Sequence, residues 1–90
     1  MKTVVVNIKT DKYDIYIGRP SEFGNPFVIG RDGNRDKVIN MYKEYFYARI
    51  KDQEFLNRIL PLKGKILGCY CKPLTCHGDI IAEFLDKGEP

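Results

Sequence analysis

The chain concentrates its most reactive side chains in one stretch, which spans residues 68–79 and reads GCYCKPLTCHGD. All three cysteines of the chain, Cys69, Cys71 and Cys76, lie within it, together with the only histidine, His77. Thiols and imidazoles bind metal ions, act as nucleophiles or bases, and line ligand pockets. The stretch therefore points to one of three chemistries: zinc binding, thiol catalysis or small-molecule binding.

The stretch joins a predicted strand to a predicted helix, and this placement decides what its side chains can reach. Cys69 and Cys71 end the strand, where residues two apart point to the same face. Cys76 and His77 begin the helix, where unpaired amides and the helix dipole favour an anion such as a thiolate. We therefore expect these side chains to lie near one edge of the domain.

Zinc binding is the first interpretation, because Cys69, Cys71, Cys76 and His77 are ligands of the type that zinc prefers. Their spacing differs from that of common structural sites, in which two separated pairs of ligands flank the metal. Adjacent residues such as Cys76 and His77 also rarely reach the same ion. The cofactor is therefore left open, with zinc as an alternative that is not favoured.

Thiol catalysis is the second interpretation. Cys76 would be a nucleophile with a lowered pKa, and His77 or Asp79 would act as the general acid or base. Amides at the helix start would stabilise an oxyanion. A purely structural interpretation also stands, since free cysteines are among the most buried residue types. In that case Cys69 and Cys71 are small core residues and His77 caps the helix.

Small-molecule binding is the third interpretation, and it draws on a second stretch, residues 16–27, which reads YIGRPSEFGNPF. Gly18 at a strand end permits close backbone approach. Arg19 can bind a phosphate or a carboxylate through paired hydrogen bonds. Asn25 can read a base edge or brace the loop. The residues expected to contact a ligand are Gly18, Arg19, Ser21, Gly24, Asn25, Cys71 and Gly78.

Composition limits the fold and the partners. Ninety residues, 43% of them hydrophobic, suffice for a single α/β domain, which we expect to span residues 1–90. The net charge of +3 is a mild excess without a long basic run, so nucleic acid is not an expected partner. No apolar run approaches the roughly 18 residues of a membrane span, and no secretory signal is evident. We therefore expect a cytoplasmic protein that does not bind membranes.

Hydrophobic periodicity predicts an α/β fold with the element order β-β-α-α-β-α. The expected elements are strands over residues 3–8, 13–18 and 65–71, a helix from Asn34 to about Ile50, and helices over residues 54–60 and 77–88. The first strand, rich in valine, is expected to be buried on both faces. The layout is that of a small Rossmann-like sandwich with a partly parallel sheet, in which ligands bind beyond the carboxyl ends of the strands.

The two stretches together resemble a known family, the domain of unknown function 4326, which occurs in bacteria and many phages. The resemblance extends from about Val5 to Leu85, and the family usually has tryptophan at the positions of Phe23 and Tyr70. The signature residues are Gly18, Arg19, Ser21, Gly24, Asn25, Pro26 and Phe27 in the first motif, and Cys69, Cys71, Pro73, Cys76, His77, Gly78 and Asp79 in the second. The resemblance implies no established reaction. By analogy with a second uncharacterised family, it supports a Rossmann-like fold.

These observations favour a pocket for a nucleotide- or nucleoside-type ligand where the two motifs meet. Arg19 and the amides of residues 76–78 would bind anionic oxygens, and Asn25 or Asp79 would bind the base or ribose. The alternatives are an enzyme that uses Cys76 on a nucleotide-derived substrate and a zinc-stabilised interaction module. A homodimer is also compatible with so small a domain. If a phage encodes the chain, we expect it in the cytoplasm of the host.

Overall fold

A three-stranded parallel sheet organises the fold. The computed structural model describes residues 2–72 and 74–88. Its strands are β1 (Val4–Asn7), β2 (Ile15–Tyr16) and β3 (Ile66–Cys69). They lie in the order β1-β3-β2, and Leu67 of β3 pairs with Val5 on one side and Ile15 on the other. The strand that comes last in the chain is therefore central, and its carboxyl end lies in the middle of one edge of the sheet.

The α-helices begin and end at recognisable caps. They are α1 (Arg35–Arg49), α2 (Gln53–Ile59), which a short 3-10 helix at Leu60–Leu62 continues, and α3 (His77–Lys87). Asn34 caps α1, since its side chain accepts a hydrogen bond from the Lys37 amide at 2.9 Å. The predicted element order β-β-α-α-β-α is confirmed. Within the described residues, no helix is both long and apolar enough to cross a membrane.

The helices pack on one face of the sheet and enclose the core. Val5, Ile15 and Leu67 point to this face and pack into the core. The largest buried side chains come from every layer: Ile17, Tyr42, Phe46, Phe55, Ile59, Leu67 and Ile81. Burial of each such side chain contributes about 1.5–3 kcal/mol to folding. The α/β fold class predicted from periodicity is therefore confirmed.

The opposite face of the sheet is partly open, and this corrects the expectation that the first strand is buried on both faces. Val4 is 45% exposed, and its partner across the ladder, Ile66, is exposed as well. β1 is an edge strand, and α3 packs against it. Its valine run therefore reflects the preference of β-branched residues for strands as much as burial.

The strands β2 and β3 are shorter than predicted, and β3 ends where its two neighbours leave the sheet. The Ile8 amide donates to the Cys69 oxygen at 3.0 Å, and the Ile17 amide donates to the Gly68 oxygen at 2.9 Å. Beyond these bonds both neighbouring segments turn away, so β3 ends at Cys69 rather than at Cys71. The cysteine pair of the strand is thereby split between the sheet and the turn that follows it.

Candidate functional site

The long loop after β2 is fastened to α1 by hydrogen bonds. The Tyr42 hydroxyl donates to the Phe23 oxygen at 2.8 Å. The Asn25 side chain donates to the Val38 oxygen at 3.2 Å and accepts from the Phe27 amide at 2.9 Å. Of the two roles considered for Asn25, bracing the loop is the one that these contacts show. The loop is thus held in a defined path beside the carboxyl end of β2.

Two of the residues predicted to contact a ligand, Ser21 and Gly24, shape the backbone of this loop. The Ser21 amide donates to the Gly18 oxygen at 2.8 Å, and the Ser21 hydroxyl accepts from the Phe23 amide at 3.2 Å. Gly24 is buried, and a Cβ there would lie 3.0 Å from the Arg19 nitrogen. Ser21 and Gly24 therefore form the turn that presents Gly18 and Arg19, and neither of them lines the cavity described next.

A cavity of about 480 Å³ opens beyond the carboxyl ends of β2 and β3. Two arginines, Arg19 and Arg35, and three aromatic residues, Tyr16, Phe27 and Tyr70, contribute to its lining. Its volume lies within the range of small-molecule sites. The position is also the one that open parallel sheets use for ligands. We call this space the edge cavity.

The cysteines converge only in part. The Sγ atoms of Cys69 and Cys76 lie 3.2 Å apart, and each of these residues is 1% exposed. Cys71 is half-buried in the lining of the edge cavity, whereas the His77 imidazole is hydrogen-bonded to the oxygen of Ile17. Among residues 2–72 and 74–88, no three histidine, cysteine or acidic side chains are arranged to hold a metal ion. The ligand set that the zinc alternative needs is therefore not assembled.

A capping box occupies the start of α3. The Cys76 Sγ accepts from the Gly78 amide at 3.3 Å, and the Asp79 carboxylate accepts from the Cys76 amide at 3.1 Å. Asp79 also forms an ion pair with Lys72, in a separate and more open groove. Two of the amides expected to bind a ligand anion, those of Cys76 and Gly78, therefore have acceptors inside the protein, and the expectation stays a prediction. Asp79 and Gly78 do not line the edge cavity.

The pKa values of the two buried thiols are shifted in opposite directions. The hydrogen bond between the two thiols lowers the pKa of Cys69 to about 6, and the amides of Lys72 and Cys71 add to the effect. The same hydrogen bond, together with burial, raises the pKa of Cys76. The lowered pKa expected of Cys76 is thus found at its neighbour. A buried Cys76 with a raised pKa does not favour the thiol-nucleophile alternative.

His77 is held by its surroundings rather than aimed into solvent. Its Nε2 lies 2.7 Å from the oxygen of Ile17, so Nε2 carries the proton and donates. Its ring meets the Tyr42 ring edge to face, at 5.1 Å between centroids. Burial lowers the pKa of His77, which keeps the ring neutral near pH 7. The imidazole therefore contributes a neutral ring to the lining of the edge cavity.

Comparisons with known proteins show the family of this chain. The chain matches the model of the family described as "Domain of unknown function (DUF4326)" over residues 5–87. It belongs to this family. It is also 42% identical, over 85 residues, to a protein of Enterobacteria phage T4 called "Uncharacterized 12.4 kDa protein in nrdA-td intergenic region". That alignment covers 92% of this chain and 77% of the phage protein, and no solved structure matches the chain.

The resemblance to DUF4326 seen in the sequence is therefore confirmed, and the edge cavity is where its two motifs meet. From the first motif, Gly18, Arg19, Asn25 and Phe27 line the cavity. From the second motif, the lining residues are Cys71, Cys76 and His77. Pro73 lies outside the described residues. The roles assigned to these side chains in binding or catalysis stay predictions.

Three residues of this DUF4326 site were missed in the sequence. The Arg35 guanidinium donates to the Thr75 oxygen at 3.2 Å, and Arg35 lines the edge cavity. Tyr16 and Tyr70 meet edge to face, with centroids 6.0 Å apart. Tyr70 carried a signal, because it is an aromatic residue within the second motif, between Cys69 and Cys71. Arg35 carried no such signal, because a charged residue at the start of a helix is usually solvated.

Proposed function

We propose that this DUF4326 protein binds a nucleotide-type small molecule in the edge cavity. The observation that supports the proposal is the pairing of two arginines, Arg19 and Arg35, with two tyrosines in one cavity. These are Tyr16, which is half-buried, and Tyr70, which is exposed. A nucleotide carries the complementary parts, an anionic phosphate and a flat base. We expect the binding to take place in the cytoplasm of a host cell, since a relative is a phage protein.

The arginines provide the anion site of this proposal. Arg19 is exposed at the cavity, so its guanidinium is accessible to an incoming phosphate. Arg35 is partly held by the Thr75 oxygen, which orients its remaining N–H donors. Guanidinium groups bind phosphate through two parallel hydrogen bonds and stay charged at any physiological pH. A charge-assisted bond of this kind contributes about 1.5–3 kcal/mol.

The tyrosines provide the platform for the base. Tyr70 is 58% exposed, so much of its ring is accessible to a base. Tyr16 supports it edge to face, and the Tyr16 hydroxyl donates to the Arg19 oxygen at 2.6 Å. The platform is thereby connected to the backbone of the arginine that would bind the phosphate. This arrangement favours a ligand that spans both groups over a bare anion.

Isothermal titration calorimetry with ribonucleoside triphosphates, the matching nucleosides and inorganic triphosphate tests the proposal. We expect at least one nucleotide to bind more tightly than its nucleoside and than inorganic triphosphate. Arg19→Ala and Arg35→Ala should each weaken nucleotide binding about tenfold or more, which corresponds to about 1.4 kcal/mol. Lys51→Ala is the matched control. The substitution also removes one positive charge, but Lys51 is exposed beyond the end of α1 and does not line the edge cavity.

The outcomes separate the proposal from its rivals. No binding by any nucleotide would contradict it. Binding that persists unchanged in Arg19→Ala and Arg35→Ala would locate the site elsewhere. Equal binding of nucleotide and inorganic triphosphate would reduce the site to an anion site without base recognition. Thermal unfolding of each variant, measured alongside, distinguishes lost contacts from lost folding.

A further inference from the structure

The contact between Cys69 and Cys76 joins two elements that the rest of the site keeps apart. Cys69 ends the central strand and Cys76 caps α3, and the two Sγ atoms are 3.2 Å apart. Both cysteines are free thiols. A disulfide bond measures about 2.05 Å, so the sulfur atoms need to approach by only about 1 Å. The surrounding core thus already holds the two sulfur atoms close together.

We propose that Cys69 and Cys76 form a reversible intramolecular disulfide, with hydrogen peroxide as the oxidant and a low-molecular-weight thiol as the reductant. This inference does not depend on nucleotide binding. Cys76 lines the edge cavity, which gives a molecule as small as peroxide a route to the pair. The lowered pKa of Cys69 supports the reaction, since the thiolate is the reactive form.

The step balances without any further partner. A thiolate of the pair attacks one oxygen of hydrogen peroxide and breaks the O–O bond, which yields a sulfenic acid and a hydroxide ion. The second sulfur then attacks the sulfenic sulfur, the S–S bond forms, and the S–O bond breaks. Each sulfur loses one electron, peroxide is reduced to two molecules of water, and both thiol protons end in that water. Exchange with two small thiols reverses the change.

Closure of this disulfide affects the start of α3. The Cys76 Sγ is the acceptor for the Gly78 amide, at 3.3 Å. Movement of this sulfur toward Cys69 withdraws the acceptor and leaves the amide without its cap. The adjoining residue, His77, lines the edge cavity, so the change occurs in the cavity wall. Oxidation is thereby coupled to the geometry of the helix start.

Alkylation of the denatured protein followed by intact mass measurement tests the proposal. The reduced protein should take up three alkyl groups, one for each cysteine in the chain. After treatment with hydrogen peroxide it should take up one, and dithiothreitol should restore three. Chymotrypsin can cleave after Tyr70 and Leu74, which separates the cysteines into different peptides, and the cross-link should join those of Cys69 and Cys76.

The variants decide between this pair and other oxidation events. Cys71→Ser, the matched control, should still form the cross-link, whereas Cys69→Ser and Cys76→Ser should not. A cross-link that involves Cys71, a disulfide between two chains, or three alkyl groups after oxidation would overturn the proposal. Hydrogen exchange gives a second readout: the Gly78 amide should exchange faster in the oxidised protein, and unchanged exchange would overturn the coupling to the helix start.

Discussion

The imidazole Nε2 of His77 lies 2.7 Å from the backbone oxygen of Ile17 and joins the first residue of α3 to the residue after β2. This bond connects the two DUF4326 motifs directly, since Ile17 precedes Gly18 of the first motif and His77 belongs to the second. The histidine in the motif is thus explained by a structural connection. Because the ring is buried, it is most stable when neutral, although its bond to the Ile17 oxygen acts in the opposite direction.

Stability should therefore depend on the protonation of His77. Its pKa is lowered below the ordinary value of 6.5, mainly by burial. The unfolded chain consequently binds a proton more readily than the folded protein does. The neutral His77 ring therefore contributes to the free energy of unfolding in full above pH 6.5, and this contribution is lost as pH falls toward the lower pKa of the folded state. Urea unfolding at a series of pH values across this range measures the loss.

The variant His77→Gln serves as the comparison for this pH dependence. Glutamine retains an N–H donor for the Ile17 oxygen but does not titrate. We expect its free energy of unfolding to fall less steeply below pH 6.5 than that of the unmodified chain. A remaining slope is expected from Cys69, whose pKa of about 6 acts in the same direction. Identical slopes in the two proteins would show that His77 does not carry the effect.

The packing of Gly78 yields a prediction about stability. A Cβ at this position would lie 2.7 Å from the Ile17 Cδ1 and 2.9 Å from a Val5 methyl group. Alanine gains about 1 kcal/mol in helix propensity, but overpacking costs about 1–3 kcal/mol, so Gly78→Ala should destabilise the protein. Ile17→Val removes the Cδ1 atom that the new Cβ would meet. The loss of unfolding free energy in the double variant should therefore be smaller than the sum of the losses in the two single variants. Denaturant unfolding of the unmodified chain, the two single variants and the double variant completes a double-mutant cycle. Strictly additive changes in the free energy of unfolding would contradict the contact.

The exposed ring of Tyr70 yields a prediction about affinity. Stacking of a base on an aromatic side chain contributes about 1–3 kcal/mol. Tyr70→Ala should therefore weaken nucleotide binding about tenfold, while Tyr70→Phe should retain most of it. Tyr13→Ala is the control, because Tyr13 is also an exposed tyrosine and lies outside the edge cavity. Equal effects of the two alanine variants in calorimetry would remove Tyr70 as the platform.

Much of this architecture could be predicted from periodicity, and the exceptions have physical causes. The alternation around Ile15 and Ile17 and the helical spacing of Tyr42 and Phe46 locate the core correctly, because burial imposes these periods. The meeting of Cys69 with the helix start followed from strand and helix placement. Its distance from Cys76 could not be predicted, since it depends on the path of the intervening turn.

The roles of polar residues were harder to predict, because the same chemistry serves turns and ligands. Ser21 forms a local backbone bond that a sequence cannot distinguish from a ligand contact. Asp79 did carry a signal, since an acidic residue three positions after a cap is the capping-box pattern. The signal was obscured because cysteine occupies the place where serine or threonine usually stands. Arg35 reaches the cavity through a contact with Thr75, which is distant in sequence.

The acidity of Cys69 can be measured directly. Its pKa of about 6 predicts that one thiolate, seen by its ultraviolet absorbance, titrates near that pH in the folded protein. The groups that face the pair are Lys72, which favours the thiolate, and Asp79, which opposes ionisation of Cys76. The signal should persist in Cys71→Ser and disappear in Cys69→Ser.

The same titration predicts how stability depends on pH. Because the pKa of Cys69 lies below its ordinary value of 9.0, the ionised thiol contributes stability that is complete above pH 9.0 and is lost as pH falls through about 6. The raised pKa of Cys76 acts in the opposite direction, but only at pH values above its own ordinary value of 9.0. Unfolding measured between these limits should therefore show stability that increases with pH, and less so in Cys69→Ser. A thiolate signal that appears only near pH 9.0 would show that the two sulfurs do not share a proton.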